Sequence, residues 1–360
     1  MTNPAIFQGL KVVELASVLA GPAVGLFFAE LGAEVIKIEN PATNGDVTRA
    51  WKAPNEDKHK TDSAYYHSVN HGKKVRFLNL KIEDERQQAY QLIQKADIVI
   101  VNYRPGAAQK LGMDYPTLSQ LNPRLIYAEL TGFGEADKRP AFDVVLQAET
   151  GFLCLTGEAD GPPVKMPVAL IDILAAHQLK EGVLVALLHR EQSGKGTKAS
   201  SSLYASALAS LANQATNWLI AGYSPQRMGS QHPNIAPYGD VFRTADGKEL
   251  VLAIGVEKHF QKLCQLIGAA NLAQDERFRI NAERVANRSA LIPLLQEKIG
   301  QHPERDRFLQ ELNQAGIPAG AIRDLPDVFS QPRVDELLLH GRDDQGQAIK
   351  SVRSVAFTLS

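Results

Sequence analysis

A chain of 360 residues is long for a single compact core, so its length calls for one large domain and a smaller one. The 39 basic and 40 acidic residues leave a formal charge of -1, without the basic surplus of a nucleic-acid binder or of a protein held to an anionic membrane. A hydrophobic fraction of 44% and a charged fraction of 22% exclude a disordered chain, and two cysteines exclude a disulfide framework.

Those two, Cys154 and Cys264, form no CxxC pair, and no His-rich metal cluster accompanies them, so they read as inert thiols in a reducing compartment. Met1 to Leu10 has no basic segment followed by an apolar one, so no secretory signal is expected. The apolar region from Leu15 to Ala29 is bracketed by Glu14 and Glu30 and is too short for a bilayer. The expectation is a soluble, cytoplasmic protein.

Lys11–Leu15 has the continuous apolar character of a buried parallel strand. Ala16 to Pro22 is a turn of small residues, with Pro22 suited to the first turn of a helix over Ala23–Leu31 that Gly32 ends. Glu34–Ile38 forms the second strand. Val75–Leu80 is a third, Glu83–Lys95 a polar-faced helix, and Asp97–Val101 an apolar strand running into Asn102. Tyr115–Leu121 is a short helix and Leu125–Leu130 a further strand. This alternation predicts a doubly wound, Rossmann-like parallel sheet whose ligands gather at the carboxyl ends of the strands. Leu19-Ala20, Asn102-Tyr103-Arg104 and the turn Thr131–Gly134 then surround one crevice.

Asp172–His189 is helical and Ser193-Gly194-Lys195-Gly196 stops it; Ala199–Ala221 reads as another helix. Beyond it the pattern changes. Asp240–Thr244 and Glu249–Ile254 flank a glycine turn as a β-hairpin, followed by amphipathic helices near 257–267, 284–299 and 304–315. The expected domains are 1–224, a large Rossmann-like domain; 225–325, a smaller α+β domain; and 326–360, a segment returning to the large one. A dinucleotide site is not expected. Only Gly21 stands where that fingerprint needs three glycines, and Glu39 reads as a solvated strand end.

The strings Val13–Ala16, Ala20-Gly21-Pro22 and Leu31–Glu39 resemble the opening of class III CoA-transferases. The resemblance continues through Gly45-Asp46-Val47-Thr48-Arg49, Lys73-Lys74, Asn102–Gly106, Leu121–Arg124, Phe142-Asp143 with Gln147, Asp160–Pro163, Arg190 and Ser193–Gly196, into Ala236–Gly239 and Asp246-Gly247. Blocks in one order along the chain carry far more weight than any one of them.

The resemblance implies that Asp172 attacks an acyl-CoA thioester, giving an anhydride and then an aspartyl-CoA thioester. Read by residue type alone, Asp172 before a helix is a capping residue. Its carboxylate is also ionised at an ordinary pKa of about 3.9, helped by the helix dipole, and able to act as a nucleophile. By position, the family's CoA contacts fall on Leu19, Ala20, Asn40, Leu78, Lys81, Asn102, Tyr103, Arg104, Lys110 and Asp143. Gly229 and Ser230, in the loop that also holds His232, take the place of a substrate loop. The family further implies an interlocked homodimer, no prosthetic group, and acyl-CoA and a carboxylic acid as substrates. A racemase of the same fold needs a base directly before Asp143, where this chain has Phe142. A non-catalytic CoA-binding protein is the third alternative.

Overall fold

The computed structural model describes residues 5–343 and 346–359. It divides into two compact units. Unit 1 holds the described residues of Met1–Gly151, Met166–Asn213 and Pro332–Ser360, and unit 2 holds Phe152–Lys165 and Gln214–Gln331. The expected boundaries at 224 and 325 compare with crossings between Asn213 and Gln214 and between Gln331 and Pro332. Segment 152–165, read with the large domain, belongs to unit 2.

Unit 1 opens with β1 (Lys11–Glu14), α1 (Ala20–Glu30) and β2 (Glu34–Glu39). It continues with α2 (Ala64–Asn70), β3 (Lys74–Phe77), α3 (Glu83–Ile93), β4 (Ile98–Val101), α4 (Ala107–Leu111), α5 (Tyr115–Leu121) and β5 (Ile126–Thr131). After α6 (Asp143–Glu149) the chain makes the one-turn α7 (Phe152–Leu155) of unit 2. It returns as α8 (Leu170–Ser193), β6 (Lys198–Ser202) and α9 (Leu203–Ala209). Six strands pair in the order β3-β2-β1-β4-β5-β6, all parallel. The order reverses between β1 and β4, which opens a crevice at their carboxyl ends.

Burial on both faces explains the apolar strands: all four residues of β4 are inaccessible to solvent. One face packs Val13, Val99, Val101 and Tyr127 against Ala89 and Ile93 of α3 and Leu118 of α5. At the amino edge of the sheet, Asp97 accepts from the Lys11 amide at 2.9 Å and from Arg190 Nη1 at 3.0 Å, pinning the end of α8. Gly196 N–H donates to Pro123 C=O at 2.8 Å and Arg124 Nη1 to Gly194 C=O at 3.0 Å, so two motifs distant in sequence form one turn.

The sixth strand corrects the sequence reading. Ala199–Ala221 is not one helix: residues 199–202 extend β5's edge, α9 follows, and α10 (Ala212–Ala221) is separate. Glu39 is a second correction. It is 4% exposed and accepts from Arg49 Nε at 2.7 Å, the Tyr66 hydroxyl at 2.8 Å and the Asp46 amide at 2.9 Å.

Unit 2 contains a three-stranded antiparallel sheet, β7 (Tyr238–Arg243), β8 (Glu249–Ala253) and β9 (Ala319–Ala321), with β8 central. Its core joins Phe242, Leu250 and Leu252 to Phe260 and Leu263 of α11 (Glu257–Leu266). Leu291 and Leu295 lie on the next long helix, which begins at Arg288 rather than 284 because Asn287 separates it from a short turn of helix at 281–286. Cys264 is buried, whereas Cys154 is exposed. Among the described residues no helix is long and apolar enough to cross a membrane.

Gly196 allows the close approach of the turn to β5. A Cβ there would run into the carbonyl oxygen of Leu125 and the carbonyl carbon of Arg124, both backbone atoms. Gly196→Ala should cost about 1–3 kcal/mol, the usual range for overpacking, and toward its upper end because both neighbours are backbone. Urea unfolding would measure it; an unchanged midpoint would mean that turn and strand separate freely.

Candidate active site

The turn after β1 carries the chain over the carboxyl end of the sheet and straight into α1. Gly21 sits where a Cβ would collide with Ala16. Side chains from other elements fix this turn. Asn102, just past β4, accepts from the Ser17 amide at 3.0 Å and donates to the Ser17 carbonyl at 2.7 Å. Lys37 Nζ donates to Ala16 C=O at 2.6 Å.

A cavity of about 390 Å³ opens beside the turn. Ser17–Ala20, Asn102–Arg104, Thr131-Gly132, Arg139, Phe142 and Asp172 are among its lining residues. The crevice expected from the strand ends is therefore present, and Asp172 borders it. Asp172 is 8% exposed, and no described residue donates a hydrogen bond to its carboxylate or forms an ion pair with it.

Asp172 does not precede its helix and does not cap it. It is the third residue of α8, whose N-cap is Ala169, with no side-chain cap bond. The missing cap comes from α6 instead. Asp143 Oδ1 accepts from the Ile171 amide at 2.7 Å, while its Oδ2 accepts from Gln147 Nε2 at 2.6 Å. Gln147 Oε1 in turn accepts from the Met166 amide at 2.8 Å. The approach to α8 from Met166 is thereby anchored at both ends, and Asp172 is delivered to the cavity by its neighbour's hydrogen bond.

The sequence reading expected Asp172 to hold an ordinary carboxylate pKa through the helix dipole. Burial instead pushes it up to about 7, and the negative charge of Asp143 adds to the effect. The first-turn dipole favours the anion by less than desolvation opposes it. Tyr65 responds to the same charges: burial, then Asp172 and Asp143, raise its hydroxyl to about 12.

Of the other expected contacts, Leu19, Ala20, Asn102, Tyr103 and Arg104 line the cavity. Asn40, Leu78, Lys81, Lys110 and Asp143 do not. Asn40 directly follows β2, Leu78 directly follows β3 and Lys81 lies three residues on, so these occupy the same carboxyl edge further along the sheet. The Asn40 side chain accepts from the Ala42 amide at 3.0 Å, and Leu78 is buried in the core. Asp143 has both oxygens engaged by protein donors, which makes it a positioning group here. Gly229 and Ser230 belong to unit 2, where Gly229 N–H bonds Gly157 C=O at 2.9 Å and Ser230 Oγ donates to Gly239 C=O at 2.6 Å. His232 lies in the same unit, its Nδ1 accepting from the Asn234 amide at 3.1 Å.

Sequence reasoning passed over Ser17, Val18, Arg139 and Leu203, all lining the cavity. Arg139 had a readable signal, a cation three residues before Phe142. The Ser17 and Val18 positions had none, because their role is carried by backbone. No histidine lines the cavity among the described residues, and Phe142 stands in its wall.

The model of CoA-transferase family III matches residues 7–358. The chain is 38% identical over 355 residues to the succinate–glutarate CoA-transferase of Agrobacterium fabrum, covering 96% of this chain and 88% of the relative. It is 37% identical over 331 residues to the acetyl-CoA:oxalate CoA-transferase of Acetobacter aceti, covering 91% and 83%. The crystal structure of a CAIB/BAIF family protein from Brucella suis superposes with a TM-score of 0.83 at 40% identity, covering 99% of this chain and 93% of that one.

The raised Asp172 carboxyl has a consequence for stability. The folded state keeps its proton up to about pH 7, whereas an unfolded aspartate releases it near 4. Between those values the folded chain binds more protons, so ionising Asp172 lowers stability as pH rises. Asp172→Asn should therefore stabilise the protein at pH 8, by up to about 4 kcal/mol, and give no gain at pH 4. Thermal melts of both proteins across that range decide it; a pH-independent difference would mean the carboxylate is not desolvated.

Proposed function

Because this chain belongs to the class III CoA-transferases, we propose that it works through a covalent aspartyl relay on Asp172. The observation that carries this is a buried carboxylate, unpaired among the described residues, on a cavity at the strand ends. The Asp172 carboxylate attacks the thioester carbonyl and CoA leaves as thiolate, forming a mixed anhydride. The thiolate attacks the aspartyl carbonyl of that anhydride, releasing the donor acid and leaving an aspartyl-CoA thioester. The acceptor carboxylate then displaces the thiolate to form a second anhydride. Attack of the thiolate on its acyl carbonyl gives the new acyl-CoA and frees Asp172. Each step exchanges one acyl bond for another, and no redox partner is needed.

A pKa near 7 makes the nucleophile half-ionised at neutral pH and more basic, hence more nucleophilic when ionised, than an exposed aspartate. CoA is assigned to the carboxyl edge of the sheet, with Leu19, Ala20, Asn102 and Tyr103 near the thioester end. Arg104, Lys81 and Lys110 meet the phosphates, whose charge calls for cations. Asn40 and Leu78 lie along the same edge. Gly229 and Ser230 are assigned to the substrate from the resemblance of their loop. Relatives named for succinate, glutarate and oxalate point to a short dicarboxylic acid as acceptor; Arg139, which lines the cavity and pairs with Asp137 at 2.9 Å, would meet a second carboxylate by exchanging that partner. The absence of a base at Phe142 weighs against racemisation. We extend to this chain the interlocked homodimer of the family and a cytoplasmic setting; exposed Trp218, Leu219 and Ile220 on α10 support a covered face.

Asp172→Ala and Asp172→Asn should both abolish CoA exchange between an acyl-CoA and a free acid while CoA binding survives. Wild-type protein treated with acyl-CoA and trapped with hydroxylamine should carry the label on the peptide containing Asp172. An adduct on another carboxylate, or a mutant with near wild-type exchange, would reject the relay. Screening acyl-CoA esters against a panel of mono- and dicarboxylic acids by mass spectrometry identifies donor and acceptor.

Arg104→Ala should weaken CoA binding by about 1.5–3 kcal/mol, the range for a charged hydrogen bond. Calorimetry is the readout, and unchanged affinity would remove Arg104 from the phosphate site.

A further inference from the structure

Val18 is the one wall residue of the cavity whose backbone is costly to hold. Its φ is 72°, in the left-handed region that a β-branched side chain avoids. Nothing in its own sequence favours that conformation, so neighbouring groups must impose it. The preceding peptide is clamped by Asn102 and Lys37 as described. The Val18 amide itself is held by Asp46, whose Oδ2 accepts from it at 3.2 Å.

Asp46 is a prepared acceptor. It is 4% exposed, its Oδ2 lies 3.0 Å from Lys37 Nζ, and its Oδ1 accepts from the Thr48 amide at 3.0 Å and the Thr48 hydroxyl at 2.9 Å. Every one of these contacts fixes where the carboxylate can be. The Asp46–Val18 bond spans 28 residues and ties the loop after β2 to the turn after β1. Directly beyond Val18 come Leu19 and Ala20, which line the cavity beside Asp172 and start α1.

We propose that Asp46 is a positioning residue of the transfer reaction, holding Val18 left-handed so that Ser17–Ala20 keep the shape of the acyl-CoA cavity. The inference rests on the reading of that cavity given above. Without the Asp46 charge, Val18 relaxes to negative φ, the turn swings, and Leu19 and Ala20 leave their places. Glycine adopts the left-handed region without penalty, so it should make the turn independent of Asp46.

The experiment compares wild type, Asp46→Asn, Val18→Gly and the double variant, measuring CoA affinity by calorimetry, kcat and KM for acyl-CoA, and hydrogen exchange of the Val18 amide. Asp46→Asn should raise the CoA Kd at least tenfold and KM in parallel, with a smaller change in kcat, and speed Val18 exchange. Val18 lines the cavity, so Val18→Gly sets its own baseline, and adding Asp46→Asn to it should change Kd by less than about threefold, because glycine needs no clamp. Asp46→Asn with unchanged affinity, or a loss on adding it to Val18→Gly as large as in the wild-type background, overturns the proposal, since a general loss of stability would not be relieved at Val18. If Asp46→Asn does not fold, Thr48→Val loosens the same carboxylate with its charge intact. It should then raise both Kd and Val18 exchange, and no change in either is the overturning result. A wild-type chain that binds no CoA removes the reading of the cavity instead, while slow exchange of the Val18 amide still supports the clamp and fast exchange overturns it.

Discussion

Four charged side chains are buried together beneath the turn that leaves β1, and they can only stay there in pairs. Glu14 and Lys37 have no solvent exposure, and Lys73 is covered as completely at its side chain. Glu14 sits between the two lysines, 2.9 Å from Lys37 and 2.8 Å from Lys73, and Asp46 takes the other side of Lys37 at 3.0 Å. Burial opposes the Lys37 charge, but Glu14 and Asp46 outweigh it and hold the ammonium above the usual lysine value. For Lys73 burial prevails, bringing it down to about 8 despite Glu14. Removing one partner of such a buried set leaves an uncompensated charge worth about 3–5 kcal/mol. The spare donors of both lysines go to backbone, Lys37 to Ala16 C=O and Lys73 to Pro22 C=O at 2.8 Å. The cluster thus grips both ends of the turn on which the cavity is built.

Around Asp172 the balance is the reverse. Its neighbours supply no counter-charge, and the nearest acid, Asp143, is like-charged and already satisfied by Ile171 and Gln147. A structural aspartate in the first turn of a helix would be hydrogen-bonded to amides and held below its ordinary pKa. Here the capping bond is made by Asp143 from another helix, which leaves Asp172 free of that duty. Division of labour between the two carboxylates explains how a helix start can be well ordered while its own acid remains available.

The parallel sheet was legible because both faces of its central strands are buried, giving short apolar runs such as Ile98–Val101, and because these runs alternate with helical segments. β6 was not legible. Its sequence, Lys-Ala-Ser-Ser-Ser, lies at the sheet edge with partial exposure and is recruited by pairing with β5, a tertiary cause that leaves no period in the residues. The crevice could be read from the alternation of strands and helices, and Asp172 from a resemblance rather than from its chemistry. Its surroundings could not, since residue type suggested a helix cap and an ordinary pKa, and both depend on which helix end faces which segment. Glu39 failed for a related reason. A terminal carboxylate looks solvated until Arg49 and Tyr66, distant in sequence, close over it.

A formal charge of -1 conceals two populations of cations. Lys37, Lys73, Arg49 and Arg190 are sunk in pairs with Glu14, Asp46, Glu39, Asp62 and Asp97, where their charge organises the sheet and its loops. Lys81, Arg104 and Lys110 have no ion-pair partner among the described residues and are exposed. All three follow the carboxyl end of β3 or β4, on the side where the strand order reverses. A near-neutral protein can therefore still present a positive edge to a polyphosphate ligand, because its acids are spent on the buried partners. The same allocation leaves Asp172 without a cation of its own among the described residues.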